Sequence, residues 1–342
     1  VQTKKNWWKY LGILLILFSM VGGLLTPLKV SLTAVSPYDL VAGKTQEIDL
    51  SIYNPGDNPE VNKIFFSKDS ISFEADFISW ANPGIAQAKV RVPANVGKDS
   101  IIFDVFAKVN GIWSKLNYGA RVIHNDDSAA LAIVTKLSND DKQSLANGSF
   151  PFLTLLYESI RNLVFHVPLW FSMIALLGAS CWHSIKYLRK PSLEVDAKTY
   201  SLVNVAILCG ILGCITGAAW AKVTWGGYWP KEDPKLQGVA IGMFMYLAYM
   251  LLRMSITDPY QKAKLSAQYN IFIFPIFIAL IAIMPKLSPT SLHPGTGGTV
   301  GFNQYDMNNT LRMYFYPAVA GWIMFFLWLA NIKYKIERRK IK

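Results

Sequence analysis

Few residues in this chain can carry out chemistry, and they are unevenly placed. There are four histidines, His124, His166, His183 and His293. His166 stands in RNLVFHVPLWF and His293 in SPTSLHPGTGG. A neutral imidazole is the commonest metal ligand among side chains, and a pair of them suits an iron ion. The alternative for each is that it anchors a helix end. The three cysteines, Cys181, Cys209 and Cys214, all fall in apolar runs. They form no C-x-x-C, no C-x-x-C-H and no disulfide framework, which excludes a thiol oxidoreductase and a covalently attached haem. No G-x-x-x-x-G-K-[ST] occurs, so ATP hydrolysis through a P-loop is excluded as well.

The elements that must position these residues are set by composition. Of 342 residues, 52% are hydrophobic and only 16% charged. The charges cluster, leaving apolar runs at 11–25, 163–185, 200–221, 239–252, 271–284 and 313–332. A helix needs about 20 apolar residues to span a bilayer, so six spans are expected once the two shortest runs extend into their polar flanks. A fully soluble enzyme is excluded. The first run follows Lys4, Lys5 and Lys9 but ends in Thr26 and Pro27 without a small-x-small cleavage pattern, and it reads as a retained helix rather than a signal peptide.

The formal net charge of +12 suits either nucleic acid or a membrane surface. Its distribution decides between them. Lys186, Arg189, Lys190, Lys198, Arg253, Lys262 and Lys264, with the basic residues at both ends of the chain, fall on one side of a six-span layout. Lys222, Lys231, Lys235, Lys286 and Arg312 fall on the other. By the positive-inside rule both termini are cytoplasmic, and the nucleic-acid reading drops out. His166 and His293 then share the outer side, while His183 lies near the cytoplasmic end of the second span, where a core role is expected.

Three segments follow from this layout: an N-terminal transmembrane helix at 1–28, a soluble insertion at 29–147, and a five-helix membrane domain at 148–342. The insertion has turn clusters (Asn54-Pro55-Gly56-Asp57, Asn82-Pro83-Gly84, Asn110-Gly111) between runs of period-two alternation at 48–53, 88–92 and 101–109. That pattern predicts an extracytoplasmic all-β domain, an immunoglobulin-like sandwich in general character. Residues 150–161 are expected to form either a short interfacial helix or the top of the second span. Asn147-Gly148-Ser149 matches a glycosylation acceptor and is read as chance.

The loop at 219–235 concentrates aromatic side chains on the outer side. It reads AWAKVTWGGYWPKEDPK and holds Trp220, Trp225, Tyr228 and Trp229. An interfacial belt would account for tryptophans, but not for Trp-Gly-Gly-Tyr-Trp followed by a charged hairpin. Flat rings stack on a porphyrin, Gly226 and Gly227 permit close backbone approach, and Lys231 or Lys235 suits a propionate. The lysines serve equally well as solvated loop caps.

At this point the chain resembles the haem-handling membrane proteins of cytochrome c biogenesis, the CcmC/CcsA group. WGGYWPKEDPKL is similar to their tryptophan-rich signature, W-G-x-[YW]-W-x-W-D-x-[KR]. Arg161 to Pro168 is similar to R-x-x-x-x-H-V-P, and His293 matches the second outer histidine. The resemblance covers the membrane part. It implies that His166 and His293 ligate the iron of non-covalently and transiently held haem b, and that Trp225, Gly226, Tyr228 and Trp229 hold the macrocycle. Asp233 matches the motif's acidic residue, and Lys235 follows it. It also implies a multi-pass protein of the bacterial inner membrane that presents haem to a haem chaperone alongside ABC-type cytochrome c maturation subunits. The third motif tryptophan is missing: Pro230-Lys231-Glu232 adds one residue before Asp233. The inserted domain is foreign to a minimal CcmC. Six spans suit CcmC, and the alternative is a CcsA-type synthase or haem lyase.

Overall fold

The computed structural model describes residues 6–26, 30–68, 71–94, 96, 100–123, 157–287 and 309–341. The chain divides into two units, one mainly of strands and one of helices.

In the strand unit, alternation decides which side chains point inward. Eight strands run in order: β1 (Ser31–Ser36), β2 (Asp39–Val41), β3 (Thr45–Tyr53), β4 (Val61–Lys68), β5 (Ile71–Asn82), β6 (Ile85–Arg91), β7 (Ile101–Val109) and β8 (Ile112–Ile123). On β3 the buried positions are Ile48, Leu50 and Ile52, and on β7 Phe103, Val105, Ala107 and Val109. The period of two seen in the sequence is thus the pleat itself. Asn110 and Gly111, with φ of 50° and 75°, turn β7 into β8 as an Asn-Gly hairpin requires.

All eight strands belong to one sheet, ordered β1-β3-β6-β5-β4-β7-β8-β2. Its two edge strands, β1 and β2, are consecutive in the chain. β1 pairs antiparallel with β3, and the chain then crosses to pair β2 parallel with β8. The Leu32 amide donates to Ser114 Oγ at 2.6 Å, linking β1 to β8. The sheet is rolled nearly into a barrel, so one continuous segment covers both vulnerable edges. The expected sandwich and this rolled sheet share the same alternation. A period of two says which face is buried, and leaves open whether the facing wall is a second sheet or the far side of the same one. On the surface, Arg121 grips Asp39 through Nε and Nη2 at 2.6 and 2.7 Å and holds that carboxyl below its usual pKa.

In the helical unit the long elements are α1 (Trp7–Leu25), α2 (His166–Arg189), α3 (Leu193–Trp225), α4 (Pro234–Ser255), α5 (Pro259–Ile278) and α6 (Asn309–Arg339). A 3-10 turn, Tyr157–Val164, precedes α2, and α5 continues through a π turn, Ala279–Ile283, to Leu287. Six helical stretches among the described residues are long and apolar enough to cross a membrane, in agreement with the six expected. The two short apolar runs become full-length helices because Asp-Pro pairs start them in polar sequence. Asp233 accepts from the Lys235 and Leu236 amides, and Asp258 from the Gln261 amide, with proline in the first turn each time. α1 leaves Leu14, Leu17, Phe18 and Val21 exposed, as a lipid-facing helix does.

Small residues and polar pairs join the helices, as expected where lipid removes the hydrophobic drive between them. Gly12 and Gly321 meet where α1 crosses α6: a Cβ on Gly321 would lie 2.9 Å from the Gly12 carbonyl oxygen. Asn270 of α5 donates to Ser180 and Ser184 of α2, both at 3.0 Å. Pro275 cannot donate to the carbonyl one turn earlier. The helix then widens at Ala279–Ile283, where Gly238 of α4 makes room for the Leu280 carbonyl. Arg253 of α4 binds Asp196 of α3 through two bonds of 2.7 and 2.8 Å, with its guanidinium 4.7 Å from the Tyr200 ring centre. Both partners are largely buried, at 11% and 13% side-chain exposure. Breaking one side strands the other charge, at a cost of roughly 3–5 kcal/mol. Asp196→Ala is therefore expected to lower the thermal midpoint of the detergent-solubilised protein sharply, and Asp196→Glu much less. Equal melting of the two variants would contradict the assignment.

Candidate functional site

The site begins with a packing match between α2 and α3, which run antiparallel through a short connection after Arg189. Down one face of α3 stand Gly210, Gly213 and Gly217. A Cβ on Gly210 would lie 2.9 Å from Met173 Sδ and closer still to Met243. One on Gly213 would lie 2.8 Å from the Trp170 ring, and one on Gly217 would lie 2.7 Å from His166 Cε1. Three side chains of α2, spaced four and three residues apart, thus fill three glycine gaps of α3. The fit sets the register of the two helices, and the last of the three knobs is the histidine singled out by the sequence.

His166 opens α2 and is half-buried. Its Nδ1 lies 2.9 Å from Thr216 Oγ1, and its ring meets Trp170 edge-on, with centres 6.4 Å apart. Thr216 sits against its own helix, with Oγ1 2.9 Å from the Leu212 carbonyl oxygen and 3.2 Å from that of Gly213. Asn162, in the turn before α2, reaches the Thr216 carbonyl at 3.4 Å. The imidazole is therefore gripped from α3 by a hydroxyl on one nitrogen and by a glycine under its Cε1.

α3 is 33 residues long, about 50 Å, against an apolar bilayer core of about 30 Å. Its last turns carry the aromatic cluster past the histidine. Trp225 stands about 12 Å along the axis from Gly217. Trp220 and Trp225 meet edge-on at 4.9 Å between centres. Gly226, at φ 78°, ends the helix in the left-handed conformation that glycine adopts without strain. Lys222 donates to the Gly226 carbonyl at 3.0 Å and lies 5.5 Å from the Tyr228 ring centre. Tyr228 is 64% exposed and Trp229 36%, so the loop offers aromatic surface. Asp233 is 1% exposed and caps α4, and Lys235 lies half-buried in the first turn of that helix. What the motif's acidic residue does locally is hold the loop's exit: the Gln237 side chain also returns to the Lys231 carbonyl at 2.6 Å.

The structure brings His166 and the start of the aromatic loop to the same end of the α2–α3 pair. His293 and His124 lie outside the described residues. His183 is half-buried in α2, and no cluster of three or more His, Cys, Asp or Glu able to hold a bare metal ion occurs among the described residues. Sequence reasoning passed over Thr216, Gly213, Gly217 and the task of Arg161. Arg161 Nη1 donates to the carbonyls of Gly23 and Thr26, both at 2.8 Å, capping the C-terminus of α1. The glycines were legible as a G-x-x-G-x-x-x-G stripe, whereas a threonine within an apolar run carries no signal of its own. A recess of about 360 Å³ at the other end of the bundle, lined by Asp196, Tyr200, Arg253, Lys262, Glu337 and Lys340, holds paired charges and none of these residues.

Six membrane-length helices define a polytopic membrane protein, with a gripped imidazole and an aromatic loop at one end of the α2–α3 pair. A family model described as "Heme exporter protein C" matches residues 154–342, more than half of the chain, and the chain belongs to this CcmC family. It is 27% identical over 187 residues to "Heme exporter protein C" of Paracoccus denitrificans, covering 53% of this chain and 74% of that protein. It is 26% identical over 142 residues to "Cytochrome c biogenesis protein CcsA" of Buxus microphylla, covering 40% of this chain and 41% of that one. A CcsA of Synechococcus sp. is 38% identical over 72 residues, 21% of this chain and 23% of the other. The chain thus spans less than half the length of these CcsA relatives. The strand unit at 30–123 lies outside the family match.

The register of α2 on α3 is directly testable. Gly213→Val forces a branched side chain into the Trp170 ring, and overpacking of this kind costs about 1–3 kcal/mol. Gly178→Ala, whose new Cβ would sit 3.5 Å from Phe274, is an ordinary contact. Thermal unfolding in detergent is expected to show a lowered midpoint for the first and an unchanged one for the second; the reverse order would contradict the packing.

Proposed function

We propose that this protein acts in cytochrome c maturation by holding haem b non-covalently at the extracytoplasmic end of α2 and α3 and passing it to a haem chaperone. The observation that carries the reading is the seating of His166, half-exposed at a helix start and gripped through Nδ1, next to a helix end that raises Trp220, Trp225, Tyr228 and Trp229 beyond it. These residues suit the ligand by chemistry. An apolar, flat macrocycle matches partly exposed aromatic rings, an imidazole suits iron, and Lys231 in the loop or Lys235 at the start of α4 suits a propionate. Gly226 and Gly227 keep backbone and side chains from crowding the aromatic surface.

His166 and His293 would hold the iron and Trp225, Tyr228 and Trp229 would face the ring, while Asp233 keeps the loop tied to α4. Haem held by both histidines would be closed to other ligands, and handover would require His166 or His293 to give way. On this reading the protein belongs to the bacterial inner membrane, with both termini cytoplasmic and the β-domain periplasmic. Other cytochrome c maturation components, ABC-type subunits among them, are its partners. Membership of the CcmC family supports the reading, and so does similarity to the heme exporter protein C of Paracoccus denitrificans.

The similarity to CcsA proteins supports a second reading, a synthase that attaches haem to apocytochrome thiols. Supplying haem-loaded protein with the chaperone and with apocytochrome in separate reactions discriminates between the two. The chaperone is expected to acquire haem, while apocytochrome alone stays unloaded. Covalent haem on apocytochrome without the chaperone would establish the second reading. Purified protein from haem-replete cells is expected to show a haem absorption band that is lost in His166→Ala and in His293→Ala. A band unchanged in both would overturn the site.

A further inference from the structure

We propose that Thr216 is a positioning residue for His166: its hydroxyl oxygen accepts a hydrogen bond from Nδ1–H, leaving Nε2 as the nitrogen with the lone pair. This rests on the reading that His166 ligates iron. A threonine hydroxyl has one proton and two lone pairs. Thr216 Oγ1 lies within bonding distance of the Leu212 and Gly213 carbonyl oxygens of its own helix, at 2.9 and 3.2 Å. Carbonyl oxygens only accept, so the hydroxyl proton is directed to them, as threonines within helices do. The same oxygen then presents a lone pair to His166 Nδ1 at 2.9 Å. An acceptor there requires Nδ1 to carry hydrogen.

Two neighbours hold this pairing in place. A Cβ on Gly217 would approach His166 Cε1 to 2.7 Å, so only glycine lets the ring lie flat enough on α3 to reach the previous residue's hydroxyl. Asn162 ties the turn before α2 to the Thr216 carbonyl at 3.4 Å, closing the short segment that carries the histidine back onto the same residue. One residue of α3 thus holds both the ring and the backbone leading into it. Partners of this kind fix which nitrogen binds a metal and how basic it is.

The test uses the full-length protein in detergent with three variants: Thr216→Val, which keeps the shape and removes the hydroxyl, Thr216→Ser, which restores it, and His166→Gln. Ring nitrogen chemical shifts from histidine-labelled, haem-free protein read the tautomer directly, and the His166 signals are those missing in His166→Gln. The wild type and Thr216→Ser are expected to show protonated Nδ1 and a pyridine-like Nε2, and Thr216→Val to lose that preference. Titration with haemin is expected to give an affinity roughly 10–100-fold weaker in Thr216→Val, with Thr216→Ser retaining wild-type affinity. A wild type protonated at Nε2, or a Thr216→Val variant with wild-type tautomer and affinity, would overturn the proposal. Wild-type haem affinity in His166→Gln would instead overturn the site assignment beneath it, and the tautomer measurement separates the two failures.

Discussion

The register between α2 and α3 governs everything described at the candidate site. Met173, Trp170 and His166 descend one helix as Gly210, Gly213 and Gly217 ascend the other, and each large side chain occupies the space that a missing Cβ leaves. In lipid, where burying apolar surface between helices brings little advantage over leaving it in contact with acyl chains, such steric matching is what fixes one arrangement among many. A slip of one turn, about 5 Å, would set His166 against Gly213 or Ala221, and in either direction at least one of the three large side chains would meet a residue that carries a Cβ. The height of the imidazole in the membrane is therefore a consequence of three glycines.

Helix length supplies the second half of the geometry. Because α3 is longer than the apolar core of a bilayer, the turns past Gly217 project to the interface, and the aromatic residues occur there because tryptophan and tyrosine tolerate a half-wet setting. Gly226 stops the helix, and Asp233 starts the next one by capping it. The loop is thus tethered at both ends by backbone chemistry, and its rings Tyr228 and Trp229 are left exposed. At the opposite end, the Asp196–Arg253 pair clamps α3 to α4, so the two helices that carry the loop are joined far from it as well.

Much of this was legible in the sequence, for identifiable reasons. Six apolar runs separated by charge clusters gave six membrane-length helices, and alternation at 48–53 and 101–109 gave strands β3 and β7. His166 and the aromatic loop stood out because their residue types are rare and grouped. What escaped was relational. Thr216 is an unremarked hydroxyl in an apolar run until its neighbour across the helix interface is known. Arg161 read as part of a motif, whereas its guanidinium closes the end of α1, 135 residues away by its bond to Thr26. The rolled form of the sheet was also hidden, since alternation specifies a buried face and the crossing from β1 to β2 that joins the two edges leaves no pattern.

On the function proposed above, the α2–α3 register presents the His166 imidazole to haem iron. Paramagnetic resonance of ferric haem bound to a His166→Gly variant, with and without added imidazole, tests it most directly. The account predicts a low-spin signal of two imidazole ligands in the wild type, its loss in the variant, and its return when free imidazole fills the vacated place. The same low-spin signal in the variant without imidazole would contradict the account.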